Sequence, residues 1–137
     1  MSLESWVVSA EQLKGVIARM NQWDETTPIY LQLRRMVLEQ ILQGVFSEGE
    51  AIPSVRQVAA VEKINPITVS KAYQMLVDEN LVEKKRGIGM YVREGARALA
   101  LAQEREHFLN EEWPKVLVRL KNLDIDTAEL PGIGGTA

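Results

Sequence analysis

Short polar and basic side chains are concentrated in residues 65–71, which include Asn65, Thr68, Ser70 and Lys71. Amide and hydroxyl groups form hydrogen bonds with base edges, and a lysine ammonium attracts phosphate, so these side-chain types suit the major groove of DNA. That chemistry requires them on the outer face of a helix, near its N-terminus. A solvated helix start with an ordinary cap would have the same composition, so the surrounding elements must decide between the two interpretations.

A second candidate for phosphate binding is Arg56. The spacing of Ser54 and Gln57 is that of a capping box, which predicts that a helix begins between them. The free N–H groups and the dipole of a helix N-terminus attract phosphate, and an arginine in the first turn would strengthen such a site. The alternative is a surface charge that pairs with an acid such as Glu62.

A third candidate is residues 84–89, Lys-Lys-Arg-Gly-Ile-Gly. Strand-like runs at residues 81–85 and 90–93 predict a β-hairpin with a basic tip. The glycines do not match a nucleotide-binding motif, because a third glycine is missing and a strand follows where a helix would be needed. We expect them to provide positive φ angles in the turn and close approach to the DNA backbone in the minor groove.

Enzymatic and metal-centred chemistry has little support in the composition. The 137 residues include no cysteine and one histidine, His107. This excludes disulfides, thiolate nucleophiles and sulfur-ligated zinc, and it leaves few partners for a catalytic triad. The carboxylates Glu111 and Glu112 are adjacent in sequence, as is typical of solvated helix ends. We therefore expect no enzyme activity, no cofactor and no metal site.

The composition also bears on where the protein resides. Hydrophobic residues make up 46% and charged residues 26%, as in an average globular protein. No apolar run approaches the ~20 residues that span a bilayer. The first six residues lack the basic stretch and the apolar region of a secretory signal. We expect a cytoplasmic protein without a membrane partner.

Helical periodicity and capping residues predict the elements that position these candidates. Residues 9–23 and residues 29–43 each repeat apolar side chains at helical spacing. A short helix begins after Ser54, and Asn65 with Pro66 begins another that runs to residue 79. Two helices joined by so short a turn form a helix-turn-helix, and the hairpin that follows makes it a winged helix.

Charge is unevenly distributed along the chain. In total there are 16 lysines and arginines against 19 acids, a net charge of −3, which by itself would disfavour DNA. Residues 63–93 carry six bases against three acids, whereas residues 98–137 carry four against seven. The basic side chains therefore coincide with the second helix of the helix-turn-helix and with the hairpin.

The sequence beyond residue 95 becomes helical again. Residues 96–108 are rich in Ala, Leu, Glu and Arg, Trp113-Pro114 is expected to kink or restart the helix, and Asp126 is expected to cap a last turn. The apolar stripe in this region is too large to leave in water, which predicts a dimerisation surface. Its predicted residues are Leu99, Phe108, Trp113, Val116, Leu117 and Leu120.

Four motifs follow one another along the chain: PIYLQL at residues 28–33, IPSVRQVA at 52–59, NPITVSKAY at 65–73 and LVEKKRGIG at 81–89. Together they resemble the N-terminal winged-helix domain of the GntR family of bacterial transcription regulators. The short helical tail resembles the YtrA-type branch, whose members dimerise through a pair of C-terminal helices and commonly repress operons that include ABC-transporter genes. Most other members have a large C-terminal domain, for which the residues after Glu94 are too few.

The resemblance implies DNA contacts from the start of one helix, from the recognition helix and from the wing. Residues 1–27 depart from the branch, whose members usually begin close to the Pro-Ile-Tyr motif. With Lys85 from the hairpin tip, the predicted DNA-binding residues are Arg56, Asn65, Thr68, Ser70, Lys71, Lys85, Arg86 and Gly87.

We therefore predict a mostly helical fold with a small β-hairpin. It comprises an N-terminal extension with an extra helix (1–27), a winged helix-turn-helix DNA-binding domain (28–94), a helical dimerisation region (95–130) and a flexible tail (131–137). The predicted function is that of a dimeric repressor of an operon such as one encoding an ABC transporter, bound to an inverted-repeat operator in double-stranded DNA. The alternative is a winged-helix module that binds proteins without specific DNA binding. A small-molecule effector, a partner or abundance alone could regulate it, and the sequence does not choose among them.

Overall fold

The computed structural model describes residues 25–133 and confirms the predicted fold class, mostly helical with one small hairpin. Three helices come first: α1 (Ile29–Leu42), α2 (Val55–Glu62) and α3 (Pro66–Asp78). The hairpin of β1 (Val82–Lys85) and β2 (Gly89–Val92) follows, and then α4 (Ala96–His107), a π-helical turn (Phe108–Glu112), α5 (Trp113–Asn122) and a 3₁₀ turn (Thr127–Glu129). The helix predicted for residues 9–23 lies outside the described residues, as does the end of the tail from residue 134.

The starts of α2 and α3 coincide with the predicted caps. Ser54 Oγ accepts a hydrogen bond from the Gln57 N–H at 3.1 Å, and Gln57 Oε1 accepts one from the Ser54 N–H at 2.8 Å, which completes a capping box. Asn65 Oδ1 accepts the Ile67 N–H at 2.9 Å, and Pro66 is the first helical residue. Because only residues 63–65 separate α2 from α3, the two helices form the predicted helix-turn-helix.

The chain divides into two compact units. Their described parts are residues 25–101 (the first unit) and residues 102–133 (the second unit). The core of the first unit joins α1, α2, α3, the hairpin and the start of α4. From α3 it takes Val69, Ala72 and Leu76, which recur at helical spacing. Burying a valine or leucine side chain stabilises a fold by roughly 1.5–3 kcal/mol. The same spacing leaves the opposite side of α3 in solvent.

The hairpin is antiparallel and pairs Val82 with Val92 and Lys85 with Gly89. The loop that precedes α2 is hydrogen-bonded to the other edge of β2. The Val92 N–H donates to the Glu50 carbonyl at 2.9 Å, and the N–H groups of residues 49 and 52 donate to carbonyls of β2. The hairpin is therefore held by backbone bonds on both sides of β2.

In the second unit the helix passes through Pro114 without ending. The Trp113 N–H donates to the Phe108 carbonyl, five residues back, which is the bond of a π-helix. Proline has no N–H, and its ring collides with the carbonyl four residues earlier, so a widened turn accommodates it. Where the sequence predicts a kink or a restart at Trp113-Pro114, the structure has a π turn after which α5 begins at Trp113. The predicted cap at Asp126 is confirmed, since its Oδ1 accepts the Ala128 N–H at 3.1 Å.

Candidate nucleic-acid interface

The solvent-facing side of α3 carries Ile67, Lys71 and Gln74, opposite the buried stripe. Spacings of four and three residues put these side chains on one side of the helix. Ser70 is exposed beside them, and Thr68 is half-buried. The predicted contacts Ser70 and Lys71 therefore face solvent, as groove binding by this helix would require.

Asn65 and Lys71, two of the predicted DNA-binding residues on α3 and at its start, have side-chain partners within the first unit. Asn65 Oδ1 caps α3, which leaves the amide N–H groups of Asn65 for an external acceptor. The Lys71 ammonium lies 3.9 Å from the centroid of the Tyr30 ring, a cation–π contact between α3 and α1. Lys71 is thus exposed but held to one side of α3.

Arg56 is exposed in the first turn of α2, as predicted. Within the described residues no ion pair joins it to Glu62, so the interpretation of Arg56 as half of a surface pair is not supported. Arg56 borders a shallow groove that extends along α2 to Pro66, the first residue of α3. Arg56, at the start of α2, and Pro66, at the start of α3, therefore line the same groove.

Glu62, at the end of α2, has an unusual environment. Its Oε1 atom is buried, and no residue in the described range donates a hydrogen bond to it. Desolvation raises the pKa of Glu62 above its ordinary value of 4.5. The ionised carboxylate therefore opposes folding at neutral pH.

The hairpin tip is basic, and two glycines shape its turn. Gly87 has a φ of +75° and Gly89 a φ of +119°, a region that other residues rarely adopt. The Ile88 N–H donates to the Lys85 carbonyl at 2.9 Å and closes the turn. The Lys85 ammonium lies 4.5 Å from the centroid of the Tyr91 ring, and Arg86 extends into solvent. The predicted positive φ angles are confirmed.

A cleft of about 320 Å³ lies between α3 and the hairpin. Ser70 and Gln74 line it from α3, Lys84 lines it from β1, and Ser54 lines it from the start of α2. Lys84 belongs to the candidate segment 84–89, although neither it nor Gln74 is on the list of predicted DNA-binding residues. The signal for Lys84 was the alternation along β1, since it shares a face of the hairpin with the buried Val82.

Two polar contacts hold α3 in place while its outer face stays in solvent. The Tyr73 hydroxyl donates to the Pro53 carbonyl at 2.6 Å, just before α2, and burial raises the pKa of Tyr73 far above its usual range. The hydroxyl therefore remains a donor at physiological pH. Arg34 of α1 makes two parallel hydrogen bonds to the Glu79 carboxylate at the end of α3, the one from Nε at 2.7 Å.

Two features are absent from residues 25–133, a cluster of metal-ligating side chains and a helix that could span a membrane. No group of three or more histidines, aspartates and glutamates in that range could hold a metal ion. None of the helices there combines the length and the apolar character that a membrane span requires.

The predicted dimerisation residues are exposed or half-buried. Leu99 belongs to the first unit, and the other five belong to the second, in which no described residue is buried. The Phe108 and Trp113 rings lie 6.3 Å apart between centroids. Leu123, at the end of the same apolar stripe, is exposed as well, and so are Leu101, Leu109 and Val118.

Three helices, a capped helix-turn-helix and a two-stranded wing define a winged-helix protein. The exposed start of α3 and the basic wing are features of those winged helices that bind DNA.

Comparisons with known proteins agree with this class. Residues 29–92 match the model of bacterial regulatory proteins, gntR family. The chain is 36% identical over 93 residues to the HTH-type transcriptional repressor YtrA of Bacillus subtilis, which covers 68% of this chain and 71% of YtrA. It is 33% identical over 110 residues to the uncharacterized HTH-type regulator YhcF of the same organism, which covers 80% of this chain and 89% of YhcF. A GntR-family crystal structure from Bacteroides thetaiotaomicron has a TM-score of 0.58 at 37% identity, over 74% of this chain and 87% of that one. The chain belongs to the GntR family of bacterial transcription regulators, and its similarity is to YtrA-type members.

Proposed function

We propose that this regulator is a homodimeric repressor that binds an inverted-repeat operator in double-stranded DNA. The exposed face of α3 enters the major groove, and the wing contacts the adjacent minor groove or backbone. The observation that carries the proposal is the cleft in which Ser70 and Gln74 of α3 meet Lys84 of the wing. It combines side chains that recognise bases with a charge that attracts phosphate on one surface.

The predicted contacts divide by chemistry in this proposal. Asn65, Thr68 and Ser70 offer short polar groups to base edges or nearby phosphates. Gly87 lets the wing backbone approach the minor groove. The charged contacts to phosphate are assigned to Arg56, Lys71, Lys85 and Arg86.

Lys71 contributes by moving from Tyr30 to DNA. An exposed cation–π contact is worth about 0.5–1 kcal/mol. A charge-assisted hydrogen bond to a phosphate can replace it when DNA arrives. Tyr30 then serves to keep the ammonium of Lys71 extended beside α3 in the free protein.

The C-terminal helices form the dimer in this proposal. The support is that the second unit carries apolar side chains on its surface and buries none of its described residues within one chain. A second copy offers the same surface in a two-fold arrangement, and two-fold symmetry matches an inverted repeat. The assigned residues are Leu99, Phe108, Trp113, Val116, Leu117 and Leu120.

The proposed biological role is repression of an operon such as one that encodes an ABC transporter. Its support is the similarity to YtrA, a protein named as a transcriptional repressor. The resemblance of the short helical tail to the YtrA-type branch points to the same class of target.

Operator binding by point variants tests the proposal. Arg56→Ala and Arg86→Ala each remove a phosphate contact and should each weaken binding to the DNA upstream of the protein's own gene by about 1–3 kcal/mol. Fluorescence anisotropy measures the affinity. Arg35→Ala is the matched control, because Arg35 pairs with Glu39 along α1 at 3.7 Å and should bind as the wild type does. Wild-type affinity in both test variants would overturn the proposal.

A winged-helix module that binds another protein is the second candidate, and the exposed apolar residues of the second unit favour it. The salt dependence of binding distinguishes the two candidate functions. Phosphate contacts make log K fall steeply with log salt between about 50 and 200 mM, whereas an apolar interface responds weakly.

A further inference from the structure

Ile67 is the most exposed large apolar side chain in residues 25–133, with an exposed fraction of 76%. A single exposed apolar side chain is ordinary on a protein surface and by itself indicates nothing. Ile67 differs by its place. It is the second residue of α3 and lies on the face that carries Lys71 and Gln74.

Within residues 25–133, the hydrophobic core does not include the Ile67 side chain. The core takes its residues from the opposite side of α3, and neither the core nor the partly buried side chains packed on it include Ile67. Its backbone is part of α3, and its N–H donates to Asn65 Oδ1 at 2.9 Å. A threonine, with a similar helix propensity, would serve the fold equally and expose less apolar surface to water.

The major groove offers such a side chain one apolar partner. Base edges there present nitrogen and oxygen groups, and thymine alone adds a methyl group. Isoleucine has one strongly preferred χ1 rotamer in a helix, so it loses little freedom on contact. The positive charge of Lys71 and of the wing favours DNA over an apolar protein surface as the occupant of this face.

We propose that Ile67 determines operator specificity by packing against the C5 methyl of a thymine in each half-site. This inference rests on the proposed function, since it requires the start of α3 to lie in the major groove. The contact removes apolar surface of both groups from water. It favours thymine over cytosine, which has no methyl group at that position.

Deoxyuridine substitution tests the contact because it deletes only the thymine methyl. The wild-type protein first selects its operator from random duplexes, and each thymine of the consensus is then replaced in turn. We expect one symmetric position at which wild-type affinity falls about fourfold, the change for one buried methyl group. Ile67→Thr, which keeps a single methyl group, should lose most of the difference between the thymine and uracil duplexes, and Ile67→Val should keep more of it.

Ile88→Thr is the matched control. Ile88 is 67% exposed at the wing tip, so the variant removes a similar apolar surface from a different part of the interface. It should retain the wild-type loss at the same deoxyuridine position. Thermal unfolding of both threonine variants should match the wild type, because neither side chain belongs to the core.

The outcomes separate this inference from the proposed function. An equal deoxyuridine effect in the wild type and Ile67→Thr at every position overturns the inference alone, as does a consensus without thymine in its half-sites. A selection that enriches no sequence overturns both, because α3 then recognises no operator.

Discussion

The two units of the chain differ in whether their apolar helix faces are buried. In the first unit, α1 and α3 turn their stripes toward each other, and residues such as Leu33 and Leu76 are fully buried. In the second unit, α5 has a stripe of the same helical spacing, yet Val116 and Leu117 remain exposed. Periodicity therefore predicts an apolar face in both units, but only in the first does the described chain cover that face.

This difference separates intrinsic stability from stability gained by association. A core closed within one chain contributes equally at every protein concentration. An apolar face that a second copy covers contributes only when the dimer forms, so its contribution grows with concentration.

The largest expected effect contrasts one leucine from each unit. Leu76→Ala should lower the free energy of unfolding by about 2–5 kcal/mol at every concentration, because it opens a cavity in the core. Leu117→Ala should stay within about 0.5 kcal/mol of the wild type in dilute solution, as an exposed position does. Its deficit should grow as the wild type dimerises. Urea unfolding followed by circular dichroism at several protein concentrations measures the free energy of unfolding of both variants. A loss of stability in Leu117→Ala that does not depend on protein concentration would contradict the proposed difference between the units.

A smaller effect is expected from the hydrogen bond that holds α3. Tyr73→Phe leaves the buried Pro53 carbonyl without its donor and should cost about 1–3 kcal/mol, independent of concentration. Tyr91→Phe, in the wing, is the matched control and should change little. Thermal unfolding of the pair measures the difference, and equal stabilities would show that the Tyr73 bond contributes nothing net.

The smallest effect concerns Glu62, whose environment destabilises the first unit. Because its pKa is raised in the folded protein, ionisation favours the unfolded chain, and stability is lost as pH rises through that raised pKa. Glu62→Gln should therefore be more stable than the wild type at pH 7. The gap should close as pH falls toward and below 4.5, where the wild-type carboxyl is protonated in both states. Denaturant midpoints across this pH range test it, and a gap that widens in acid would contradict the assignment.

Local signals in the sequence predicted most of the fold. The caps at Ser54 and Asn65 set the starts of α2 and α3, and the glycines at 87 and 89 set the wing turn. These features depend on hydrogen bonds and φ angles within a few residues, so sequence spacing is enough to find them.

The rest of the candidate interface depends on tertiary packing. Lys71 meets Tyr30 only because α1 and α3 pack together, and Lys84 reaches the cleft only because the wing folds back toward α3. The helical pattern already places Ile67 on the exposed side of α3, but the side chains predicted to contact DNA from this helix are all polar or basic. An apolar contact to a thymine methyl has no polar signal in the sequence.

The claim that α3 and the wing recognise a DNA sequence is tested most directly by one titration. The selected operator and a scrambled duplex of the same length and composition are bound to the wild-type protein over a range of salt concentrations. At about 150 mM salt we expect the operator to bind at least about 10³-fold more tightly, with log K falling steeply as salt rises. Equal affinity for the two duplexes across the salt range would contradict the claim.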